Sequence, residues 1–93
     1  MKVRLQDSFV KKLNRHVALI AKDRPTVARK FKNDLLSRIK SLSDNPNKYK
    51  KSIYFENDFI RDMTFKGYTI VYKIDQSKSQ IIVFGFTKHQ EKL

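Results

Sequence analysis

The chain has 93 residues, 40% of them apolar, and a formal net charge of +12 from 21 Lys and Arg against nine Asp and Glu. This length supports one small domain with a single core, and the apolar share excludes an intrinsically disordered chain. The absence of cysteine and the presence of only two histidines exclude disulfides and zinc clusters. No apolar run approaches the roughly 18–20 residues that span a bilayer, and the sequence turns polar at Gln6 without a signal-peptide apolar region. We expect a cytoplasmic protein with no membrane contact, no metal and no small-molecule cofactor.

The first half of the chain predicts one strand and two helices. Val3 and Leu5 alternate with polar residues over Lys2–Gln6, which indicates a short strand. Asp7 or Ser8 is predicted to cap the first helix, because their side-chain oxygens can reach the free amides of its first turn. The apolar stripe of this helix is Phe9, Leu13, Val17 and Ile20.

A proline at position 25 predicts the end of the first helix, since the residue before proline is pushed out of helical geometry. A second helix is predicted from about Thr26 to the turn formers of Ser43–Asn47. Its apolar face is Val27, Phe31, Leu35, Ile39 and Leu42. Two amphipathic helices with so short a connection should pack as an antiparallel hairpin.

After residue 50 the apolar period changes from helical to two, which predicts consecutive strands. Their short connections require antiparallel neighbours. The predicted strands are Lys51–Asn57, Phe59–Phe65, Gly67–Asp75 and Gln80–Thr87. The predicted fold is therefore α+β, in the order β-α-α-β-β-β-β, with a four-stranded antiparallel meander packed on the helix hairpin.

Within the third of these strands, the alternation predicts two different faces. Ile70 and Ile74, with their tyrosine neighbours, should face the helices. Thr69 and Lys73 should lie on the opposite, open face.

The order of elements, the helix "P…ARKFKNDLLSRIKSL", the strand "GYTIVYKID" and the final "IIVFGFTKHQEKL" resemble the RelE/ParE superfamily of type II toxin–antitoxin toxins over the whole chain. The resemblance implies a toxin that arrests bacterial growth, as in plasmid stabilization, until a cognate antitoxin binds it. An acidic or amphipathic antitoxin segment would lie across the helix hairpin or along a sheet edge. The residues expected to contact it are Val27, Phe31, Phe84 and Phe86.

Members of the superfamily act either as ribosome-dependent mRNA endonucleases or as inhibitors of DNA gyrase. RNA cleavage needs a general base, cations for the phosphorane oxygens and a general acid. The candidates for these roles are Arg61, Lys73, Lys88 and His89. Where such nucleases commonly carry an arginine, this chain has Thr69, which cannot replace a guanidinium on phosphate.

Each candidate also has a plainer interpretation. His89 can act as an acid or base near neutral pH, or it can simply be solvated in a polar tail. His16 lies beside the apolar stripe of the first helix, where a structural or surface role is favoured. Tyr68 and Tyr72 are favoured as core or rim aromatics over proton donors.

Two basic segments are candidate target- or RNA-binding surfaces. Lysines and aromatic rings alternate from Lys48 onward, a combination that suits single-stranded nucleic acid but also shields a sheet edge from aggregation. Cations on the second helix form either a binding face or a solvated one. The candidate residues are Lys48, Tyr49, Lys50, Lys51, Arg29 and Lys32.

Three hypotheses remain from the sequence. We favour a ParE-like toxin that binds a target protein such as DNA gyrase without catalysis, because Thr69 lacks the charge that phosphate chemistry needs. The alternative is an endoribonuclease that acts on ribosome-bound mRNA, which the net charge favours. The third is an inactive homologue that only binds antitoxin. The first two would exchange rank if Arg61 or Lys73 lay over Thr69.

Overall fold

The computed structural model describes residues 1–88. Its elements are β1 (Lys2–Leu5), α1 (Asp7–Asp23), α2 (Pro25–Lys40), a single 3₁₀ turn (Ser41–Ser43), β2 (Lys50–Lys51), β3 (Ile60–Phe65), β4 (Tyr68–Asp75) and β5 (Gln80–Lys88). The five strands form one sheet in the order β1-β5-β4-β3-β2. The β1 strand pairs parallel with β5, and all other neighbours are antiparallel. This is the α+β architecture that the sequence predicted.

The two helices are separated by a single residue, Arg24. Pro25 occupies the first position of α2, where its missing N–H costs nothing. The ammonium of Lys32 donates to Asn14 Oδ1 at 3.1 Å across the two helices. Because these residues lie at similar distances before and after the connection, the helices run antiparallel. Neither helix is long and apolar enough to cross a membrane within residues 1–88.

The start of α1 differs from the prediction. The N-cap residue is Gln6, in extended geometry and without a side-chain cap, whereas Asp7 lies inside the first turn. The prediction that Asp7 or Ser8 caps this helix is therefore wrong. An acidic side chain in the first turn still stabilises the helix through the positive end of the helix dipole.

The core lies between the helix hairpin and one face of the sheet. Alternation along β4 places Ile70, Tyr72 and Ile74 on this face, all fully or almost fully buried, as predicted. Val27 is an exception to the predicted apolar stripe of α2, since it is 49% exposed and Ala28 is buried instead. The core cluster is Phe9, Leu13, Phe31, Leu35, Ile39, Leu42, Met63, Phe65, Ile70, Tyr72, Ile74, Ile81, Val83 and Phe86.

The predicted strand Lys51–Asn57 is mostly absent, and only Lys50–Lys51 pair with β3. The amide of Ser52 still donates to Ile60 O at 2.8 Å. The next amide, that of Ile53, donates instead to the carboxylate of Asp62 at 3.1 Å. A side chain thus replaces the ladder partner, and such local bonds compete with sheet formation. The segment after Ser52 leaves the sheet, and Ile53 is 84% exposed.

A β-bulge interrupts β5 opposite β4. Val71 pairs with Gly85 and Tyr72 pairs with Val83, which leaves Phe84 as the extra residue. A Cβ at Gly85 would lie 2.8 Å from Val71 Cβ, so any residue other than glycine would require a shift of β4 or β5. The Phe84 ring meets that of Phe55 edge-on at 5.7 Å, which ties the segment after β2 to the open face of the sheet.

Candidate functional site

A groove of about 1040 Å³ runs over the open face of the sheet. One wall is the segment Lys48–Tyr54, here named the basic wall, and the floor is formed by β3, β4 and the end of β5. The lining residues are Lys48, Tyr49, Lys50, Lys51, Ile53, Tyr54, Asp62, Thr64, Thr69, Thr87 and Lys88. Four of the predicted target- or RNA-binding residues therefore lie together at this groove.

Three threonines form the floor of the groove. Thr64 pairs with Thr69, and Thr69 pairs with Thr87, so the three lie side by side across three strands. Neighbouring strands are about 4.8 Å apart, which gives a row about 10 Å long. The row offers hydroxyl donors and acceptors but no charge.

Two adjacent residues of β3 hold the basic wall from opposite faces of the sheet. Arg61 lies on the helix side and donates from Nη1 to Tyr49 O at 2.6 Å. Asp62 lies on the groove side and accepts from the Ile53 amide at 3.1 Å. Within the described residues, Arg61 Nε and Asp62 Oδ1 are buried without a hydrogen-bond partner. The unpaired carboxylate oxygen belongs to a groove-lining residue.

The predicted nuclease residues within residues 1–88 do not converge. Arg61 faces the helix side, opposite Tyr72 in the strand register, and is bonded to the basic wall. Lys73 is exposed on the open face but does not line the groove. Lys88 lines the groove at the end of β5, and His89 lies outside the described residues. Neither Arg61 nor Lys73 lies over Thr69.

Tyr72 is fixed within the core. Its hydroxyl donates to Pro46 O at 2.7 Å, and burial raises the pKa of Tyr72 to about 12. A hydroxyl that is held by a backbone carbonyl and resists ionisation stabilises the loop after α2. This placement agrees with the structural interpretation of the tyrosine.

A second, smaller cavity of about 240 Å³ lies on the helix side, at the end of β5. The Tyr68 hydroxyl and His16 Nε2 share a hydrogen bond there, and the Tyr68 ring stacks on Phe86 with centroids 5.2 Å apart. Burial, with a smaller contribution from the charge of Lys88, lowers the pKa of His16. His16 thus packs within an aromatic cluster. The lining residues are Lys12, Arg15, His16, Leu19, Tyr68, Phe86 and Lys88.

The remaining predicted contact residues are scattered. Arg29 is exposed on α2, and Lys32 is engaged with Asn14; neither lines the groove. Phe31 and Phe86 are buried at 6% and 8% exposure, so they offer a partner little surface. Val27 is exposed on the hairpin, and Phe84 is half-buried against Phe55.

Sequence reasoning missed Asp62, Thr64 and Thr87 as groove residues. The alternation of Asp62 with Thr64 along β3 was a usable signal, because it places both on the face of Thr69. No cluster of three His, Asp or Glu side chains suited to a metal occurs in residues 1–88.

The fold is similar to three solved toxin structures. One is from the chromosomal ParDE toxin–antitoxin system of P. aeruginosa, with TM-score 0.79, 14% identity and 97% of each chain covered. Another is the RelBE2 toxin–antitoxin complex of Mycobacterium tuberculosis, with TM-score 0.65, 16% identity, and 95% of this chain and 96% of that chain covered. The third is the isolated E. coli RelE toxin, with TM-score 0.61, 16% identity, and 98% and 86% covered. These similarities define the class of fold, which this chain shares with solved proteins of the ParDE and RelBE systems.

The family profile described as "ParE toxin of type II toxin-antitoxin system, parDE" matches residues 3–93. The chain belongs to this family, and it is the toxin component of a type II toxin–antitoxin system with an antitoxin as its partner. No curated protein matches the sequence.

Proposed function

We propose that this toxin arrests bacterial growth by binding a target protein in the cytoplasm, DNA gyrase being the candidate, and that it has no catalytic activity of its own. The observation that carries the proposal is the dispersal of the predicted nuclease residues that the structure describes, Arg61, Lys73 and Lys88. Arg61 is bonded to Tyr49 O on the helix side, and Lys73, although exposed on the open face, is not among the residues that line the groove. Loss of one preorganised donor in an active site costs about 10²–10³ in rate, and within the described residues neither Arg61 nor Lys73 supplies one over Thr69.

The target contact proposed is the basic wall together with the segment that follows it. Ile53 is 84% exposed and Tyr54 is 52% exposed, beside Lys50 and Lys51 on the groove. Exposed aliphatic and aromatic side chains rimmed by charge are typical of protein-binding surfaces. Phe55, which packs on Phe84 from the sheet, supports this surface.

The alternative is a ribosome-dependent mRNA endonuclease. The observation in its favour is that four lysines, Lys48, Lys50, Lys51 and Lys88, line the groove. Cations around a concave surface with aromatic side chains also suit single-stranded RNA. This alternative also requires a general acid or base, and the candidate for that role, His89, lies outside the described residues.

Two assays on one purified preparation test the proposal. The toxin is expected to inhibit supercoiling by gyrase and to leave mRNA intact during translation in vitro. Ile53→Asp should weaken inhibition by about tenfold or more, since central apolar contacts dominate protein interfaces. Val27→Asp is the matched control, because Val27 is also an exposed aliphatic residue and lies on the hairpin. Ribosome-dependent mRNA cuts with undisturbed supercoiling would refute the proposal. Normal growth of cells that contain soluble toxin would instead indicate the inactive homologue.

A further inference from the structure

We infer that the groove on the open sheet face is where an extended, acidic segment of the antitoxin binds, with one of its N–H groups donating to Asp62. The inference goes beyond the proposed function and holds whichever target the toxin has. It rests on an unpaired buried oxygen, on the distribution of charge around the groove, and on the exposed apolar rim.

The unpaired oxygen of Asp62 indicates a ligand that donates a hydrogen bond. Oδ2 is satisfied by the Ile53 amide, whereas Oδ1 is buried and has no partner in residues 1–88. Leaving a buried acceptor unsatisfied is destabilising, and a donor that binds in the groove would satisfy it. A protein segment carries a backbone N–H at almost every residue. A phosphate group has no such donor and would be repelled by the carboxylate.

The charge around the groove indicates that the segment is acidic. Lysines at positions 48, 50, 51 and 88 line it, against the single carboxylate of Asp62. Among the described residues, the only ion pair made by these lysines joins Lys51 to Asp58 at 3.2 Å, and both side chains are largely exposed. Exposed pairs of this kind contribute little to stability, so a partner's carboxylates can replace Asp58.

The shape of the groove indicates that the segment is extended. The floor spans three strands through Thr64, Thr69 and Thr87, and the volume of about 1040 Å³ lies just above the range of about 300–1,000 Å³ for small-molecule sites. Hydroxyls along the row can donate to or accept from backbone groups of an extended chain. Ile53 and Tyr54 at the rim provide contacts for its apolar side chains.

The antitoxin is the occupant because the family is defined by that partnership. A second copy of this chain is disfavoured, since each copy carries a net charge of +12 and would place cations against cations. Binding in the groove would cover the basic wall. It would therefore withdraw the same surface that the toxin offers to a target.

Backbone hydrogen exchange of the full-length toxin, free and in complex with its cognate antitoxin, tests the location. Exchange at the amides of 49–54 and of Thr87 is expected to slow in the complex. Protection confined to α1 and α2, with these amides unchanged, would overturn the inference.

Two tryptophan substitutions test whether the floor of the groove is the binding site. Thr64→Trp fills the floor from an exposed position and should raise the antitoxin Kd by about tenfold or more. The control Thr26→Trp adds the same side chain at an exposed position of α2 and should leave the Kd unchanged. Equal effects of the two, or none from Thr64→Trp, would contradict the location.

The substitution Asp62→Asn distinguishes a protein ligand of the groove from a nucleic acid, because it should change their affinities in opposite directions. The amide has one acceptor for two N–H groups, so in either orientation one donor faces another, and antitoxin binding should weaken. A single-stranded oligonucleotide should instead bind the variant more tightly, because a repelling charge is removed. An oligonucleotide that competes with antitoxin for the wild-type groove, with antitoxin affinity unaffected by Asp62→Asn, would assign the groove to nucleic acid and refute the inference.

Discussion

Arg61 holds the basic wall instead of facing a substrate. Its Nη1 donates to Tyr49 O, and the next residue, Asp62, accepts from the Ile53 amide on the other face of the sheet. Two consecutive side chains of β3 thus fix both ends of a strand that is only two residues long. Its residue type alone made Arg61 a candidate cation for catalysis. The alternation of side chains along β3 places it on the helix face, where its partner is the backbone carbonyl of Tyr49.

His16 gives the molecule a pH-dependent stability. Burial and the charge of Lys88 lower its pKa from 6.5 in the folded state, so the unfolded chain binds the proton first as the pH falls. The free energy of unfolding should therefore decrease as the pH falls from about 7 to the folded pKa of His16. Above pH 7 the contribution of His16 to the free energy of unfolding no longer changes with pH.

Urea unfolding at a series of pH values checks this prediction. His16→Gln keeps a polar side chain beside the Tyr68 hydroxyl but cannot be protonated, so its stability should change less over that interval. Asp34 and Asp75 have lowered pKa values because of hydrogen bonds, from Lys30 and Ser77 respectively. Their stabilisation is present above about pH 3.8 and is lost only in more acidic solution. A wild-type midpoint that is flat between pH 7 and pH 5 would show that burial does not hold His16 neutral.

At the scale of elements, the bulge in β5 sets the shape of the open face. Gly85→Ala would place a Cβ 2.8 Å from Val71 Cβ, in the buried centre of the sheet. Relief requires a backbone shift in β5 or β4, and we expect a loss of about 1–3 kcal/mol in the free energy of unfolding. Chemical denaturation at neutral pH measures it.

The control for this variant is Gly67→Asn. Gly67 has φ +83° and open space around its Cβ position. Asparagine tolerates the left-handed region better than most residues, so the cost should be smaller than at Gly85. A larger loss at Gly67 would mean that turn conformation matters more than the close approach of β4 and β5.

The predicted elements succeeded where a periodic pattern coincided with a packing partner. The stripes of α1 and α2 and the alternation of β4 meet in one core, so periodicity was enough to predict them. It failed after Ser52, because Ile53 and Phe55 have strand-like composition but the Ile53 amide bonds a side chain instead of the ladder. The groove was predicted only in part. The lysines of the basic wall are close together in the sequence and could be recognised there. Asp62 and Thr87 lie beside them only because of the register between strands, and a single sequence does not reveal that register.

At the scale of the whole molecule, the net charge of +12 should govern how fast partners associate. Electrostatic steering raises association rates by about 10–10³-fold, and salt screens it over a Debye length of about 10 Å at 0.1 M. We expect the association rate constant for antitoxin to fall about tenfold or more between low and high salt. The dissociation rate should change less, because it reflects the packed contacts. Stopped-flow or surface-based kinetics measures both.

Two double variants of equal net charge test whether the association rate depends on the electrostatic field of the whole molecule or on the charges at the groove. Lys50→Glu with Lys51→Glu reverses charge on the basic wall, and Lys11→Glu with Arg29→Glu does so on the exposed surface of the hairpin. If only net charge mattered, both pairs would slow association equally. Because residues 50 and 51 line the groove that we assign to the acidic segment, their reversal should slow association more and remove most of the salt dependence. If the hairpin pair slowed association more, the antitoxin would first contact the toxin at the helices and not at the groove.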